Sequence, residues 1–307
     1  MTRSSGAAVA ATASTEADVL RLGYRKAAAI TRRFGTTYYW GVQLLAPRQR
    51  RHVYAVYALC RLADDIVDAP GATRGDVSAT SAALQAFQER FNAALRTGHS
   101  PDPVLAAAAH TARTRGVEGS CFDRFFGAMR QDLTTARYET WADLCGYMDG
   151  SAAVIGEMML PVLEPNSPAA VEPARALGMA FQLTNFLRDV GEDLDRGRIY
   201  LPMAEMRAVG ADATLRRVNQ PWREFMRFQI ARNRELYVAA GEGLSYLPPP
   251  SARCVAAARQ LYARILNEIE ASDYDVFTRR ARVSTWRKLG TLARLTLSAR
   301  RTGSTVV

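Results

Sequence analysis

Residues 52–68 read HVYAVYALCRLADDIVD, and this stretch decides the fold. Drawn as a helix, it has apolar residues around most of its circumference, which predicts a helix that lies inside the protein. One line of polar residues crosses this apolar surface at steps of three or four positions. The residues of the line are Tyr57, Arg61, Asp64, Asp65 and Asp68. A polar line on a buried helix must face partners, water or a ligand.

A second stretch, residues 176–194, repeats the design with the sequence ALGMAFQLTNFLRDVGEDL. Its polar line again advances by three or four positions, through Gln182, Asn185, Asp189 and Asp193. Arginines flank this second line, because Arg188 precedes its first aspartate and Arg196 and Arg198 follow its second. Guanidinium groups suit phosphate oxygens well, since their planar N–H groups can donate two hydrogen bonds at once.

The two polar lines together indicate a site for metal ions and a diphosphate. Asp64 and Asp68 stand four residues apart, as do Asp189 and Asp193, so each pair shares one helical face. Burying like charges is costly unless another group cancels them. Two or three Mg²⁺ ions carrying a diphosphate are the simplest such group, because Mg²⁺ prefers hard oxygen ligands and is commonly shared with phosphates. The alternative is that nearby arginines neutralise each acidic cluster as ordinary ion pairs.

Helical periodicity dominates the rest of the chain, and alternating β-branched runs are nearly absent, so the sequence predicts an all-α fold. The chain has 307 residues, 48% of them hydrophobic, which is enough for one large core. We expect a disordered tail at residues 1–18, a single domain at 19–300 and a C-terminal tail at 301–307. The predicted helices are Glu16–Arg33, Tyr38–Leu45, Gln49–Asp68, Asp76–Arg96, Pro103–Arg115, Cys121–Thr134, Thr140–Val162, Ala169–Leu194, Pro221–Leu244, Ser251–Ser272 and Ser284–Arg301.

The chain is basic, with a net charge of +10 and a pI of about 9.8. Its arginines are scattered, and we find no aromatic-rich basic stripe, zinc finger or RNP-like strand, so no nucleic-acid partner is expected. The positive charge instead suits phosphorylated small molecules and an anionic bilayer surface. The sequence alone leaves the oligomeric state open.

The cysteines and the hydropathy pattern favour a cytoplasmic protein. The four cysteines are far apart and stand in apolar stretches, which is neither a disulfide framework nor a metal-binding spacing. Such isolated cysteines fit a reducing compartment. No uninterrupted apolar run reaches the ~18 residues that a membrane span needs. We therefore expect a cytoplasmic location, with peripheral contact at the inner face of a membrane.

Two longer stretches carry a family resemblance. Residues 54–68, YAVYALCRLADDIVD, and residues 182–202, QLTNFLRDVGEDLDRGRIYLP, resemble the two signatures of the squalene/phytoene synthases. The resemblance covers about residues 20 to 295. It includes Tyr147–Gly156 and Tyr274–Arg280, and it is strongest toward the bacterial phytoene-forming members.

The resemblance implies an all-α isoprenoid-synthase fold around a central cavity. It implies head-to-head condensation of two allylic diphosphates through a cyclopropyl diphosphate. Carried over by position, the catalytic residues would be Asp64, Asp65, Asp68, Asp189, Asp193 and Tyr57. The Mg²⁺ ligands, with Mn²⁺ as a substitute, would be Asp64, Asp65, Asp68, Asn185, Asp189 and Asp193. The substrate contacts would be Arg61, Gln182, Asn185, Arg188, Arg198 and Tyr38.

The stretch before the first signature departs from the family pattern. The family often has a Ser-x-Ser-Phe-like element there, commonly with a basic residue at x, whereas this chain has Gly35-Thr36-Thr37-Tyr38. The leading hypothesis is the formation of phytoene from two geranylgeranyl diphosphates. Squalene or dehydrosqualene synthesis from farnesyl diphosphate is an alternative, with NADPH needed only for squalene. Prenylation of an aromatic small molecule and a non-catalytic helical scaffold are two others.

Overall fold

The computed structural model describes residues 4–69, 72, 75 and 77–280, and the side chains of residues 4–14 and 36–38 lie outside this description. The described chain is almost entirely helical, which confirms the all-α prediction. Its α-helices are α1 Ser4–Phe34, α2 Thr36–Val42, α3 Pro47–Val67, α4 Val77–Thr97, α5 Pro103–Arg115, α6 Gly119–Gln131, α7 Trp141–Met148, α8 Val154–Leu163, α9 Val171–Asp195, α10 Met203–Ala208, α11 Gln220–Glu242 and α12 Pro249–Ala271.

Helix α5 shows why some boundaries can be read from the sequence. The carboxylate of Asp102 accepts hydrogen bonds from the backbone N–H groups of Val104 and Leu105, at 2.9 and 3.2 Å. Pro103 fits the first helical position, where no N–H donor is needed. Gly116 ends the helix in the left-handed conformation, at φ 71°. The predicted and observed ranges of this helix are identical.

The predicted helix Thr140–Val162 is interrupted in the structure. A π turn, Asp149–Ala153, separates α7 from α8. Because a π turn adds one residue without a breaker such as proline or glycine being required, periodicity alone could not show it. The predicted helix Ser284–Arg301 and the tail at 301–307 lie outside the described residues.

Two short strands and one short helix were not predicted. Strand β1, Arg137–Tyr138, pairs in parallel with β2, Ile199–Pro202. Helix α10 follows β2 directly. Segments this short cannot display a period, so no sequence signal distinguishes them from loops.

The N-terminal residues differ from the expected tail in one respect. Helix α1 begins at Ser4, inside the stretch predicted as disordered. Alanine is frequent there and has the highest helix propensity, which accounts for the helix. The side chains of residues 15–18 are exposed, so this part of α1 adds nothing to the core. The boundaries of the domain stay a prediction.

Helices α3 and α9, which carry the two polar lines, lie at the centre of the fold. Helix α3 packs against α1, α5 and α8, and α9 packs against α8, α11 and α12. Their apolar positions are buried: Leu59 and Leu187 are both 0% exposed. In the described part of the chain, we find no helix with the length and apolar character that crossing a membrane would require.

Candidate active site

Both polar lines border one cavity of about 1230 Å³. Asp64, Asp65 and Asp68 reach it from α3, and Asp189 and Asp193 reach it from α9. The two helices therefore present their carboxylates to the same space, as the spacing of the aspartates predicts. Other predicted contacts also line this cavity, namely Tyr57, Arg61, Gln182, Asn185, Arg188 and Arg198.

On α3, the side chains around the aspartates are already paired in part. Arg61 donates to Asp65 at 2.5 Å, and its guanidinium lies 4.4 Å from the centre of the Phe34 ring. This contact is an ordinary ion pair of the kind that the sequence offers as the alternative to a metal site. Gly35 packs directly on Tyr57, because a Cβ at Gly35 would lie 2.7 Å from the Tyr57 ring. The junction between α1 and α2 therefore covers this side of the cavity.

On α9, Asp189 lies between two arginines. Arg188 donates to it at 2.7 and 2.5 Å, and Arg280, from the end of the described chain, donates two hydrogen bonds of 2.9 Å. Burial alone would raise the pKa of Asp189, but the hydrogen bonds and charges of these arginines outweigh it and lower that pKa. Asp189 is therefore ionised and neutralised in this structure.

Arg198, in the turn after α9, binds the end of α3. It donates to the carboxylate of Asp68 at 2.8 Å and to the backbone carbonyls of Val67 and Asp132 at 3.2 and 3.3 Å. Its side chain is 5% exposed. Arg196 approaches the same Asp68 at 3.4 Å. Arg198 thus holds the end of α3 in place, and its direct contact with a diphosphate stays a prediction.

Two aspartates have no such compensation. Among the described residues, neither Asp64 nor Asp193 forms an ion pair. Burial, reinforced by the neighbouring charge of Asp68, raises the pKa of Asp64 to about 7. Burial and the charge of Asp189 raise the pKa of Asp193 well above its usual range. The line on α3 therefore contains two aspartates paired with arginines, Asp65 and Asp68, and the line on α9 contains one, Asp189, while each line also contains one aspartate without an ion pair.

The donor set fits a divalent cation that is shared with a ligand. No three His, Cys, Asp or Glu side chains within the described ranges converge closely enough to hold an ion by themselves. Mg²⁺ needs only one or two carboxylates when phosphate and water supply its other ligands. The side-chain oxygen of Asn185 is buried without a hydrogen-bond partner, and it borders the same cavity. It is a hard oxygen donor that a cation would satisfy.

A third element of the site was missed in the sequence. Asp132, at the end of α6, is 7% exposed and accepts a 2.8 Å hydrogen bond from the hydroxyl of Tyr200. Burial raises its pKa. Tyr200 stacks on Phe186 with ring centres 4.5 Å apart, and Tyr147 packs 5.7 Å from Tyr200. A lone aspartate outside any acidic cluster gave no signal, because only the fold brings it beside the others.

Beyond the charged region, the cavity is lined by apolar side chains. They come from α3, α8, α9 and α12, and they include Val53, Ile155, Met159, Leu177, Phe181 and Ile265. One end of the cavity therefore suits an anion and the rest suits a hydrocarbon. Tyr38 belongs to α2, but its side chain lies outside the described residues, so the expected contact stays a prediction.

The chain is similar to known prenyl-condensing enzymes. The profile of the family described as squalene/phytoene synthase matches residues 31–287. A phytoene synthase of Arthrospira platensis is 38% identical over 287 residues, which span 88% of this chain and 91% of that relative. The chloroplastic phytoene synthase of Daucus carota is 39% identical over 284 residues, spanning 90% of this chain and 70% of that relative.

Solved structures show the same likeness in three dimensions. A dehydrosqualene synthase in complex with a ligand superposes with a TM-score of 0.83 and 27% identity, covering 92% of this chain and 98% of that one. A squalene synthase from Alicyclobacillus acidocaldarius superposes with a TM-score of 0.74 and 28% identity, covering 83% of this chain and 96% of that one. The helical fold is therefore shared with these proteins.

Proposed function

The chain belongs to the squalene/phytoene synthase family, and from this premise we propose that it condenses two geranylgeranyl diphosphates head to head into phytoene, releasing two diphosphates. The observation that carries the proposal is a single cavity with a charged end and an apolar remainder. A prenyl diphosphate has the same division between an anionic head and a hydrocarbon tail. The phytoene synthases among its relatives support the choice of substrate and product.

At the charged end, we assign two or three Mg²⁺ ions to Asp64, Asp65, Asp68, Asn185, Asp189 and Asp193, with Mn²⁺ as a possible substitute. When bound, these ions would neutralise the diphosphate as its bond to carbon breaks. Burial raises the pKa of Asp64 and Asp193, and bound cations would displace their protons and be held by the two carboxylates, which no arginine among the described residues pairs with. Arg61, Arg188 and Arg280 border the same space and can donate to phosphate oxygens once the cations take over their present carboxylate partners.

Departure of the diphosphate leaves an allylic cation, which must be kept from water. The apolar walls exclude water from the reacting carbons, and the stacked rings of Phe186, Tyr147 and Tyr200, which border the cavity, offer π-electron density to a nearby positive charge. In the head-to-head reaction that the family resemblance implies, the first condensation gives a cyclopropyl diphosphate. Its diphosphate would leave in the same charged region, so the one cavity serves both steps. Each step also releases one proton, which an oxygen of the departed diphosphate or water can accept, and loss of the second proton gives phytoene.

The use of farnesyl diphosphate is the second candidate. The solved dehydrosqualene synthase, with a TM-score of 0.83, shares the fold that such a reaction would need. Because the fold is shared with that protein, the choice between the two substrates depends on how well the apolar walls accept the longer chain.

Product analysis tests the proposal directly. The purified protein is incubated with Mg²⁺ and either geranylgeranyl or farnesyl diphosphate, each with and without NADPH, and the hydrocarbons are identified by mass. We expect a C40 hydrocarbon from geranylgeranyl diphosphate without NADPH. A product formed only from farnesyl diphosphate would contradict the proposed substrate. No turnover with any allylic diphosphate would favour the non-catalytic scaffold.

We also propose a cytoplasmic location with peripheral contact at the inner face of the membrane. The net charge of +10 supports attraction to anionic lipids, and a C40 hydrocarbon has to leave the enzyme for an apolar phase. Sedimentation of the protein with vesicles that contain or lack anionic lipid tests this contact. Equal recovery in the supernatant with both kinds of vesicle would contradict it.

A further inference from the structure

Four charged side chains form a closed network behind one wall of the cavity. The network, here called the charge quartet, consists of Arg124 on α6, Asp149 in the π turn, Glu157 on α8 and Arg175 on α9. Arg124 donates to Asp149 at 2.9 Å and to Glu157 at 2.8 and 3.0 Å. Arg175 donates to Asp149 at 2.6 Å and also to Glu157. Each guanidinium thus binds both carboxylates.

The quartet does not touch the cavity, but the residues between its two acids do. Ser151, Ala152, Ile155 and Gly156 all line the cavity, whereas no member of the quartet does. Asp149 and Glu157 therefore lie at the two ends of a segment of the cavity wall, on the side that faces away from the cavity. The ends of this wall segment are fixed to α6 and α9 through the two arginines.

The π turn is what brings the two acids together. In an uninterrupted α-helix, residues eight positions apart lie roughly 80° apart around the axis. A π turn takes up one extra residue, which leaves about seven helical steps and an offset of roughly 20°. Asp149 and Glu157 therefore face the same two arginines, while the opposite side of the segment faces the cavity.

Three glycines show how closely this wall segment is packed. A Cβ at Gly150 would lie 2.8 Å from the Arg124 carbonyl oxygen. One at Gly156 would lie 2.2 Å from the Ala174 oxygen, and one at Gly178 would lie 2.2 Å from the Ala152 oxygen. The backbones of α6 and α9 thus meet the segment without intervening side chains. A small displacement of the segment would change the cavity directly.

We propose that the charge quartet holds the apolar cavity wall between Asp149 and Glu157 in a fixed position. The fixed wall contributes to the selectivity of the enzyme for the chain length of the prenyl diphosphate. The inference rests on the proposed function, because it concerns the tail of the same substrate. Exposed single ion pairs stabilise proteins little. In this network the side chains are only 18 to 40% exposed, and each guanidinium binds two carboxylates. Removing Asp149 or Glu157 leaves the two guanidiniums sharing the other acid, with, among the described residues, only the exposed Glu172 at 3.5 Å from Arg175 besides, so the segment loses its fixed position.

The test compares two substrates in variants of the quartet. In Glu157→Gln and Arg175→Gln, the ratio of kcat/KM for the C20 diphosphate to kcat/KM for the C15 diphosphate is measured together with thermal unfolding. A loosened wall accommodates either chain, so we expect this ratio to move toward one by about threefold or more. That change is a fraction of the ~10-fold or greater discrimination that apolar pockets achieve.

Glu205→Gln is the matched control. Glu205 accepts two 2.8 Å hydrogen bonds from Arg232, and the pair is 28 and 19% exposed, but neither residue lines the cavity. We expect this variant to lose stability without changing the ratio of the two substrates. A ratio that changes equally in the control would show a general effect of lost stability and would overturn the proposal.

A milder variant covers the case in which the quartet variants fail to fold. Arg175→Lys keeps the charge but loses the planar pair of donors, so a smaller change in the same direction is expected. An unchanged ratio in a folded, active quartet variant would overturn the inference and leave the proposed function intact. A wild-type protein that does not use the C20 diphosphate would instead contradict the proposed function.

Discussion

Asp64 is a carboxylate of the candidate active site that forms no ion pair among the described residues. It faces the same cavity as Asp68, yet only Asp68 is bound by arginines. A carboxylate kept without a cation in a partly buried position lowers the stability of the fold unless a ligand supplies the charge. Asp193 has the same environment on α9. The two positions support the proposal that cations bind at this site.

The first prediction concerns Asp64→Asn. The amide cannot supply the negative charge that attracts Mg²⁺, so Mg²⁺-dependent diphosphate release should fall by roughly 100-fold or more, as it does when one group that stabilises developing charge is removed. The helical circular dichroism spectrum and the melting temperature at pH 8 should be retained or improved, because an unpaired buried charge has been removed. Turnover near the wild-type rate would contradict the role assigned to Asp64.

The second prediction concerns the pH dependence of the metal-free protein. The pKa of Asp64 is about 7 in the folded state and near 3.8 when unfolded, so the folded state holds the proton more tightly. Its contribution to stability is present below pH 4 and is lost as the pH rises toward 7. The free energy of unfolding should fall over this range by at most about 1.4 kcal/mol per pH unit.

Urea unfolding of the wild type and of Asp64→Asn between pH 5 and 8 checks this slope. The variant should show a flatter pH dependence over the same range. Identical slopes in the two proteins would show that Asp64 is not the responsible group.

At the scale of elements, the helices were predictable and their interruptions were not. Helix α5 carries its start signal, Asp102, and its stop signal, Gly116, in the sequence, and its predicted range matches the observed one. The π turn depends on contacts with α6 and α9, and the local periodicity of the sequence carries no information about these contacts. The strand pair β1–β2 forms because the chain after α9 places β2 beside β1, and local periodicity does not predict this pairing.

The third prediction tests the close packing of α9 on the π turn. In Gly178→Ala, the new Cβ would lie 2.2 Å from the backbone oxygen of Ala152, so one of the two backbones must move. We expect the free energy of unfolding to fall by about 1–3 kcal/mol, as for other overpacked sites. Urea unfolding, which reports this free energy, is the measurement.

Gly146→Ala is the control for Gly178→Ala. A Cβ at Gly146, an exposed position in α7, would meet no atom within 4 Å. Alanine should therefore leave the stability unchanged or raise it by up to ~1 kcal/mol through its higher helix propensity. Equal destabilisation by the two substitutions would refute the close approach at Gly178.

At the scale of the whole molecule, the sequence revealed the lines of polar residues but not how their charges are balanced. The repeated spacing of the aspartates predicted that α3 and α9 would face one cavity, because helical periodicity fixes which residues share a face. It could not show that Arg280 reaches Asp189 or that Asp132 joins the site. These contacts connect residues far apart in the chain, and only the complete fold brings them together.

The most direct measurement is the melting temperature of the metal-free protein with Mg²⁺ alone, with inorganic diphosphate alone, and with both. We predict that both together raise it by more than the sum of the separate effects, because each is needed to balance the charge of the other. A ligand at about 100 times its Kd contributes about 2.7 kcal/mol, or a few degrees in a protein of this size. The Asp64→Asn, Asp189→Asn double variant should lose this excess. An additive response in the wild type, or the same excess in the double variant, would contradict the account.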